Sequence, residues 1–241
     1  MAKIIAVIGS PGSGKTTLTL KLAQEIYCNT SNGAVIYLSP SFKIPALGLL
    51  FPNYTPDSLF SLGNMFDKTD IFEEDVLSHL VTVKAMPNFG CLGYKAGENK
   101  YSFAELTEDK VQELFNTLHK MAGYVFVDCT DEENDLISDY ALRNADEVIM
   151  VVSPDLKSMV YLSSNEELLG TNAERAVRVL NVNENELYAP VDDVRSQTKN
   201  ISFVLPYSRQ IRGQQLDGLL YDRAKDKKYR KELIPLAKRI M

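Results

Sequence analysis

Gly9-Ser10-Pro11-Gly12-Ser13-Gly14-Lys15-Thr16 follows the apolar run Ile4-Ile5-Ala6-Val7-Ile8 and runs directly into Thr17-Leu18-Thr19-Leu20-Lys21-Leu22-Ala23. Two glycines five positions apart, the second followed by Lys and then Ser or Thr, form the spacing of a phosphate-binding loop when they lie between a strand and a helix. At average residue usage the bare pattern arises by accident in a chain of this length about once in a hundred. The flanking strand and helix patterns narrow that further.

The spelling has a chemical reason. Glycines at 9, 12 and 14 allow positive φ and close backbone approach, so successive N–H groups and a helix N-terminus can face phosphate oxygens. Lys15 is placed to neutralise the β- and γ-phosphates, and the Thr16 hydroxyl is a short neutral oxygen suited to a Mg²⁺ shell. A lysine at a helix N-terminus opposes the dipole unless an anion offsets it, which argues against a purely structural turn. The loop from Gly9 to Thr17, with Pro11 and Ser13 inside it, is therefore a candidate Mg-ATP site.

Composition bounds the rest. The 241 residues are 45% hydrophobic and 24% charged, enough for one good core, and a single domain over 1–241 is expected. A net charge of −6 argues against a surface that binds nucleic acid throughout. Met1-Ala2-Lys3 leads straight into the first strand without a secretory leader, so a cytoplasmic protein is expected. The three cysteines, Cys28, Cys91 and Cys129, lack CxxC spacing and suit reduced, buried thiols better than disulfides or zinc.

Along the chain, a helix is expected from Lys15 to Tyr27, stopped by Asn29-Thr30-Ser31-Asn32-Gly33, and Ala34–Leu38 follows as a buried strand. That βαβ unit predicts an α/β fold, a mostly parallel sheet with helices on both faces. Residues 39–56 hold four prolines and predict loop with one helical turn at Ala46–Leu50. Asp57–Phe66 and Phe72–Lys84 carry apolar residues at helical spacing, so 39–84 is expected to be a variable lid or insertion over the ligand face. Asn88–Tyr94 is expected to be a strand, and Thr107 caps a helix. Tyr124–Val127 is the strongest central strand, Leu136–Asn144 a helix, Glu147–Val152 another strand, with Pro154 opening the next helix. Ala176–Leu180 and Ile201–Leu205 are further strands, and a basic helix closes the chain over 225–241.

A phosphate loop with Mg²⁺ needs a carboxylate at the end of a neighbouring strand, and Asp128, ending Tyr124-Val125-Phe126-Val127, is the well-placed candidate. Here the sequence resembles a family. The order of strand, phosphate loop, helix, strand and distant Asp-ended strand, then Ala145-Asp146-Glu147-Val148-Ile149-Met150-Val151-Val152-Ser153-Pro154-Asp155 and Lys157-Ser158, is similar to the ParA/MinD group of deviant-Walker P-loop ATPases. The similarity runs from Lys3 to about Leu236, and the pilus and secretion ATPases of that group, the CpaE-like branch, are one candidate kind within it. It implies that Asn181 contacts adenine and that Pro206-Tyr207 closes around the base. It also implies an ATP-dependent homodimer and a protein partner.

The departures bear on catalysis. The family's signature lysine, which reaches across a dimer to the partner's ATP, is matched by Ser10. Its aspartates after the second strand are matched by Leu38-Ser39-Pro40-Ser41-Phe42. A serine cannot act as a negatively charged acceptor for a water proton at neutral pH, so slow or absent hydrolysis by the bare protein is expected. Asp131, Glu132 and Glu133 read by default as a solvated acidic turn; the alternative makes Asp131 a substitute catalytic acceptor beside Lys15 and Asp128.

His79 and His119 have no triad context and read as core or surface residues. The basic terminal segment is expected to pack as a helix with a solvated basic side rather than to anchor on a membrane, with Pro235 interrupting its apolar face. A nucleotide-dependent switch of ParA/MinD type is the leading function. The alternatives are a small-molecule or nucleotide kinase, whose loop looks similar but whose lid arginines are missing from 39–84, and an ATP-binding regulator that does not hydrolyse.

Overall fold

The computed structural model describes residues 1–31, 33–132, 134–184, 194–195, 198 and 200–241. Asn32 of the first helix stop and Glu133 of the acidic turn lie outside the described residues. The strands are β1 (Lys3–Gly9), β2 (Ala34–Ser39), β3 (Val81–Val83), β4 (Met86–Gly93), β5 (Ala122–Asp128), β6 (Glu147–Val152), β7 (Val177–Asn181) and β8 (Ile201–Leu205). They form one sheet in the order β3-β4-β2-β5-β1-β6-β7-β8, parallel except for the β3-β4 pair.

Strand β1 shows why both faces are covered. Ile5 and Val7 point into one apolar cluster and Ile4, Ala6 and Ile8 into another, as the two-residue period of a strand requires. A parallel strand buried on both sides reads as a continuous apolar run, which is what residues 4–8 are. The first cluster is closed by α1 (Lys15–Asn29) and by the C-terminal helix Lys227–Ile240. The second is closed by α5 (Glu108–Met121) and α6 (Leu136–Asn144). Further α-helices among the described residues are α2 (Ala46–Leu50), α3 (Leu62–Phe66), α4 (Glu73–His79), α7 (Leu156–Leu169), α8 (Thr171–Arg175) and α9 (Arg209–Leu216), and the C-terminal helix is α10.

The chain leaves β1 through α1 towards β2, and it leaves β5 through α6 to reach β6 on the other side of β1. This reversal opens a crevice at the carboxyl ends of β1 and β5, the place where open α/β sheets bind ligands.

Several boundaries differ from the sequence reading. The helical pattern at 72–84 stops at His79, and Val81-Thr82-Val83 instead pairs antiparallel with β4, because alternating β-branched residues beside a free strand edge favour a ladder. Asp57–Phe66 is α-helical only from Leu62, where the Ser61 hydroxyl accepts the Gly63 N–H, after a single 3-10 turn at Pro56–Ser58. The 39–84 segment is not simply a lid: Leu47, Leu50, Leu62, Met65 and Val76 are buried in the two cores, and the part that reaches the ligand crevice is the end of β2, the loop after it and α2 through Ala46 and Leu49. Helix α7 begins at Leu156 rather than Pro154, with the Asp155 carboxylate accepting the Ser158 N–H at 2.7 Å.

Helix α10 buries Tyr229, Leu233, Leu236, Ala237 and Ile240, and Arg230 Nη2 donates to Glu25 Oε1 of α1 at 2.9 Å. Pro235 lies on its exposed side, so it does not interrupt the apolar face as expected. The cysteines are free; Cys91 and Cys129 are buried, but Cys28 at the end of α1 is exposed, contrary to the expectation for it. His79 and His119 each bond a backbone carbonyl through Nδ1, of Asp75 at 2.7 Å and of Ala2 at 3.1 Å. No helix among the described residues is long and apolar enough to cross a membrane.

Candidate functional site

The phosphate loop joins β1 to α1 with Gly9, Gly12 and Gly14 all at positive φ. At Gly14 (φ 91°) a Cβ would lie 2.3 Å from Asn181 Nδ2, and at Gly9 (φ 149°) it would lie 2.2 Å from the Val151 carbonyl oxygen. At Gly9 both the backbone angle and the fixed Val151 carbonyl exclude a side chain, while at Gly14 the positive φ is the firm constraint and a Cβ would also displace the Asn181 amide. Helix α1 opens without a side-chain cap or an acidic residue in its first turn, so its first N–H groups stay free to face an anion.

Around this loop the structure brings together the residues expected from sequence. Thr16 Oγ1 donates to Asp128 Oδ2 at 2.6 Å. Lys15 Nζ donates to the Gly9 carbonyl at 2.6 Å and to Asp131 Oδ2 at 2.9 Å. Ser10, Pro11, Gly12, Thr16 and Thr17 line a cavity of about 450 Å³ that also meets Asp128 and Asp131. A neighbouring cavity of about 570 Å³ shares Gly12, Gly14 and Thr17 and is lined by Asn181, Pro206 and Tyr207. Asn181 Nδ2 donates to the Ser13 carbonyl at 2.8 Å, so Asn181 braces the loop from below as well as lining the second cavity.

Asp128 is buried, and its two oxygens differ. Oδ2 accepts from Thr16 and from the Tyr37 phenol at 2.9 Å, while Oδ1 has no hydrogen-bond partner. Burial raises the Asp128 carboxyl above the ordinary range, and the bonds from Thr16 and Tyr37 and the charge of Lys15 oppose that rise. A buried carboxylate oxygen without a partner is costly unless something else claims it. One hard anionic oxygen, the neighbouring Thr16 hydroxyl and room for phosphate oxygens and water match the needs of Mg²⁺. The donor set thus fits Mg²⁺ held with a nucleotide.

Ser10 does not face outwards. Ser153 Oγ donates to Asp155 Oδ2 at 2.6 Å, so its remaining bond to Ser158 Oγ, at 2.7 Å, is one it accepts. Ser158 Oγ thereby spends its proton on Ser153 and accepts from Ser10 Oγ at 2.5 Å and from the Ser153 N–H at 3.1 Å. Ser10 is the last donor of a buried hydroxyl chain that ties the phosphate loop to the start of α7.

Asp131 is exposed, in keeping with the default reading of the acidic turn, and Glu132 is half-buried, yet both carboxylates are bonded. Asp131 bridges Lys15 and the Tyr161 phenol, 3.1 Å from Oδ1. Glu132 Oε1 accepts from Ser41 Oγ at 3.1 Å and from the Lys43 N–H at 3.3 Å. Ser41 thus ties the loop after β2 to the turn after β5, while Ser39 is buried on the cavity wall. Sequence reading missed Tyr37, Tyr161, Ser153 and Asn183, whose Nδ2 donates to the Gly12 carbonyl at 3.0 Å. Only Tyr37 carried a signal: a phenol inside the buried run Ala34–Leu38 must find a partner for its O–H.

No family model matches the sequence, and no curated protein matches it. Solved structures do match in fold. A ParA family ATPase from Chlorobium tepidum TLS superposes with a TM-score of 0.78 at 16% identity, covering 98% of this chain and 99% of that one. The septum site-determining protein MinD from Pyrococcus horikoshii OT3, complexed with Mg-ADP, matches with a TM-score of 0.73 at 17% identity over 100% and 96%. A plasmid partition protein from Borrelia burgdorferi B31, bound to AMPPNP, matches with a TM-score of 0.71 at 12% identity over 100% and 98%. None of these three is a pilus or secretion ATPase, and the narrower CpaE-like expectation gains no support from them. With its eight-stranded, mostly parallel sheet and a phosphate loop between β1 and α1, the chain has the fold of the ParA/MinD P-loop ATPases.

Proposed function

We propose that this chain is a Mg-ATP-binding switch of ParA/MinD type whose own hydrolysis is slow, and whose nucleotide state governs the placement or assembly of a protein partner. The observation that carries the reading is the convergence of the glycine loop, Lys15, Thr16 and the unpartnered Oδ1 of Asp128 at one strand edge. In this reading Gly9–Thr17 cradles the phosphates, Thr16 and Asp128 hold Mg²⁺, and Asn181 and Pro206 bound the base cavity. Mg²⁺ when bound neutralises charge on the phosphate oxygens.

Slow turnover follows from what surrounds the γ-phosphate position. Ser10 is committed to Ser158, and Ser39 and Ser41 offer no carboxylate. Asp131 is the nearby carboxylate on the Lys15 side and the residue proposed to accept the proton of an attacking water. Loss of a cationic clamp on a phosphoryl transition state costs about 10³-fold or more where an arginine supplies it.

Light scattering after size exclusion, with no nucleotide, ADP or a non-hydrolysable ATP analogue, beside a phosphate-release assay, tests the proposal. An analogue-dependent dimer with slow release is expected. A monomer in all three that consumes ATP only when an acceptor molecule is added would overturn it in favour of a kinase.

A further inference from the structure

Tyr37 has no part in the phosphate loop, yet it touches the carboxylate on which the proposed metal site depends. Its side chain is fully buried in β2, the strand next to β5, and its O–H donates to Asp128 Oδ2 at 2.9 Å. A phenol serving only to fill the core would find its partner in a backbone carbonyl, as Tyr221 does with Phe89, 3.5 Å away. Tyr37 instead shares one oxygen of one carboxylate with Thr16.

Two donors converging on Oδ2 make the carboxylate asymmetric. Rotation of the Asp128 side chain would carry Oδ1 into both bonds, so the donors fix its plane while leaving one oxygen unclaimed. Thr16 has a second task, since its hydroxyl is itself a candidate ligand. Tyr37 is the donor with no other duty, and its fully buried side chain places the O–H on Asp128 Oδ2.

We infer that Tyr37 is a positioning residue, holding Asp128 by Oδ2 so that Oδ1 is the oxygen presented to Mg²⁺ in the nucleotide complex. The inference rests on the Mg-ATP reading above. Partners that orient a ligating side chain typically contribute 10- to 100-fold to metal affinity, so about that loss is expected when the phenol oxygen is removed.

The test is the affinity of the full chain for ATP, by calorimetry, at saturating Mg²⁺ and in excess EDTA, for wild type, Tyr37→Phe, Asp128→Asn and the double variant. The ratio of the two affinities isolates the metal contribution from packing. Tyr37→Phe is expected to lower that ratio about 10-fold, with the EDTA affinity unchanged. In the Asp128→Asn background the same change should have no further effect, because Tyr37 acts only through Asp128. A wild-type ratio in Tyr37→Phe, or losses that add in the double variant, would overturn the inference. If wild type itself gains nothing from Mg²⁺, the underlying Mg-ATP reading fails first, and this inference with it. Should the void left by Tyr37→Phe prevent folding, 4-fluorophenylalanine at position 37 fills the volume without donating, and the same loss is expected of it.

Discussion

Lys15 Nζ lies 2.9 Å from Asp131 Oδ2, so the ammonium that the phosphate loop offers its ligand is paired with a carboxylate from the turn after β5. In the proposed Mg-ATP complex a nucleotide phosphate would compete with that carboxylate, which Tyr161 holds in place from α7. Partly exposed ion pairs of this kind are worth up to about 1 kcal/mol, which corresponds to roughly fivefold in affinity. Asp131→Asn is therefore expected to bind ATP a few-fold more tightly than wild type while losing residual phosphate release. Weaker binding would remove the competition, and unchanged release would remove Asp131 as the acceptor.

The hydroxyl chain from Ser10 to Asp155 predicts an unequal pair of variants. Ser158 donates to Ser153 and accepts from Ser10 and the Ser153 N–H, so Ser158→Ala strands two buried donors, the Ser10 hydroxyl and the Ser153 N–H, while Ser153 Oγ keeps its bond to Asp155. Ser10→Ala removes one donor from an acceptor that keeps another. Urea unfolding should place Ser158→Ala about 1–3 kcal/mol below wild type, with Ser10→Ala clearly the milder. Equal effects would mean that the chain is not the connection between the phosphate loop and α7.

Lys21 is 1% exposed within α1, and its amine donates to the Leu220 carbonyl at 2.6 Å and to the Asp222 carbonyl. Burial lowers its pKa to about 7, opposed by the charge of Asp222. The unfolded chain then binds the extra proton between pH 7 and the ordinary lysine range, so this residue makes stability rise with pH over that window and fall as pH drops through 7. The slope it contributes is at most about 1.4 kcal/mol per pH unit. Thermal melts of wild type and Lys21→Met between pH 7 and 9 should show the variant losing that rise. Parallel curves would place the Lys21 pKa near its ordinary value.

Deletion of 225–241 is expected to unfold the protein. It would strip Tyr229, Leu233, Leu236 and Ile240 from the core, and full burial of such side chains is worth about 1.5–3 kcal/mol each against a total stability of about 5–15 kcal/mol. Circular dichroism of the truncated chain checks this, and a folded, cooperative melt would refute it. A membrane test therefore calls for charge-reversing Lys231, Lys238 and Arg239 on the solvated side, with the full chain as reference. No co-sedimentation with anionic vesicles is expected from either.

Local pattern decided a great deal in this protein. The apolar runs at 4–8, 124–127 and 148–152, short and rich in β-branched and aromatic residues, read as strands buried on both faces, and Leu136–Asn144 and Ile201–Leu205 keep the boundaries their spacing implies. The glycine loop, Lys15, Thr16 and Asp128 were legible because phosphate binding demands those residue types at a strand-to-helix turn and at the next strand's end. Weak periodicity misled at 72–84, where tertiary pairing with β4 outweighed helical spacing.

The phosphate loop itself is where sequence and tertiary structure divide. By itself the sequence determined that Gly9–Thr16 forms a glycine-rich strand-to-helix turn with positive φ at Gly9, Gly12 and Gly14, since that backbone geometry is local. Only the tertiary structure decided what surrounds it: Ser10 meets Ser158, Lys15 meets Asp131, Asn181 bonds the Ser13 carbonyl, and Tyr37 shares with Thr16 one oxygen of Asp128. Those partners lie far away in sequence and are brought together by the order of strands in the sheet, and no local spacing encodes such an adjacency.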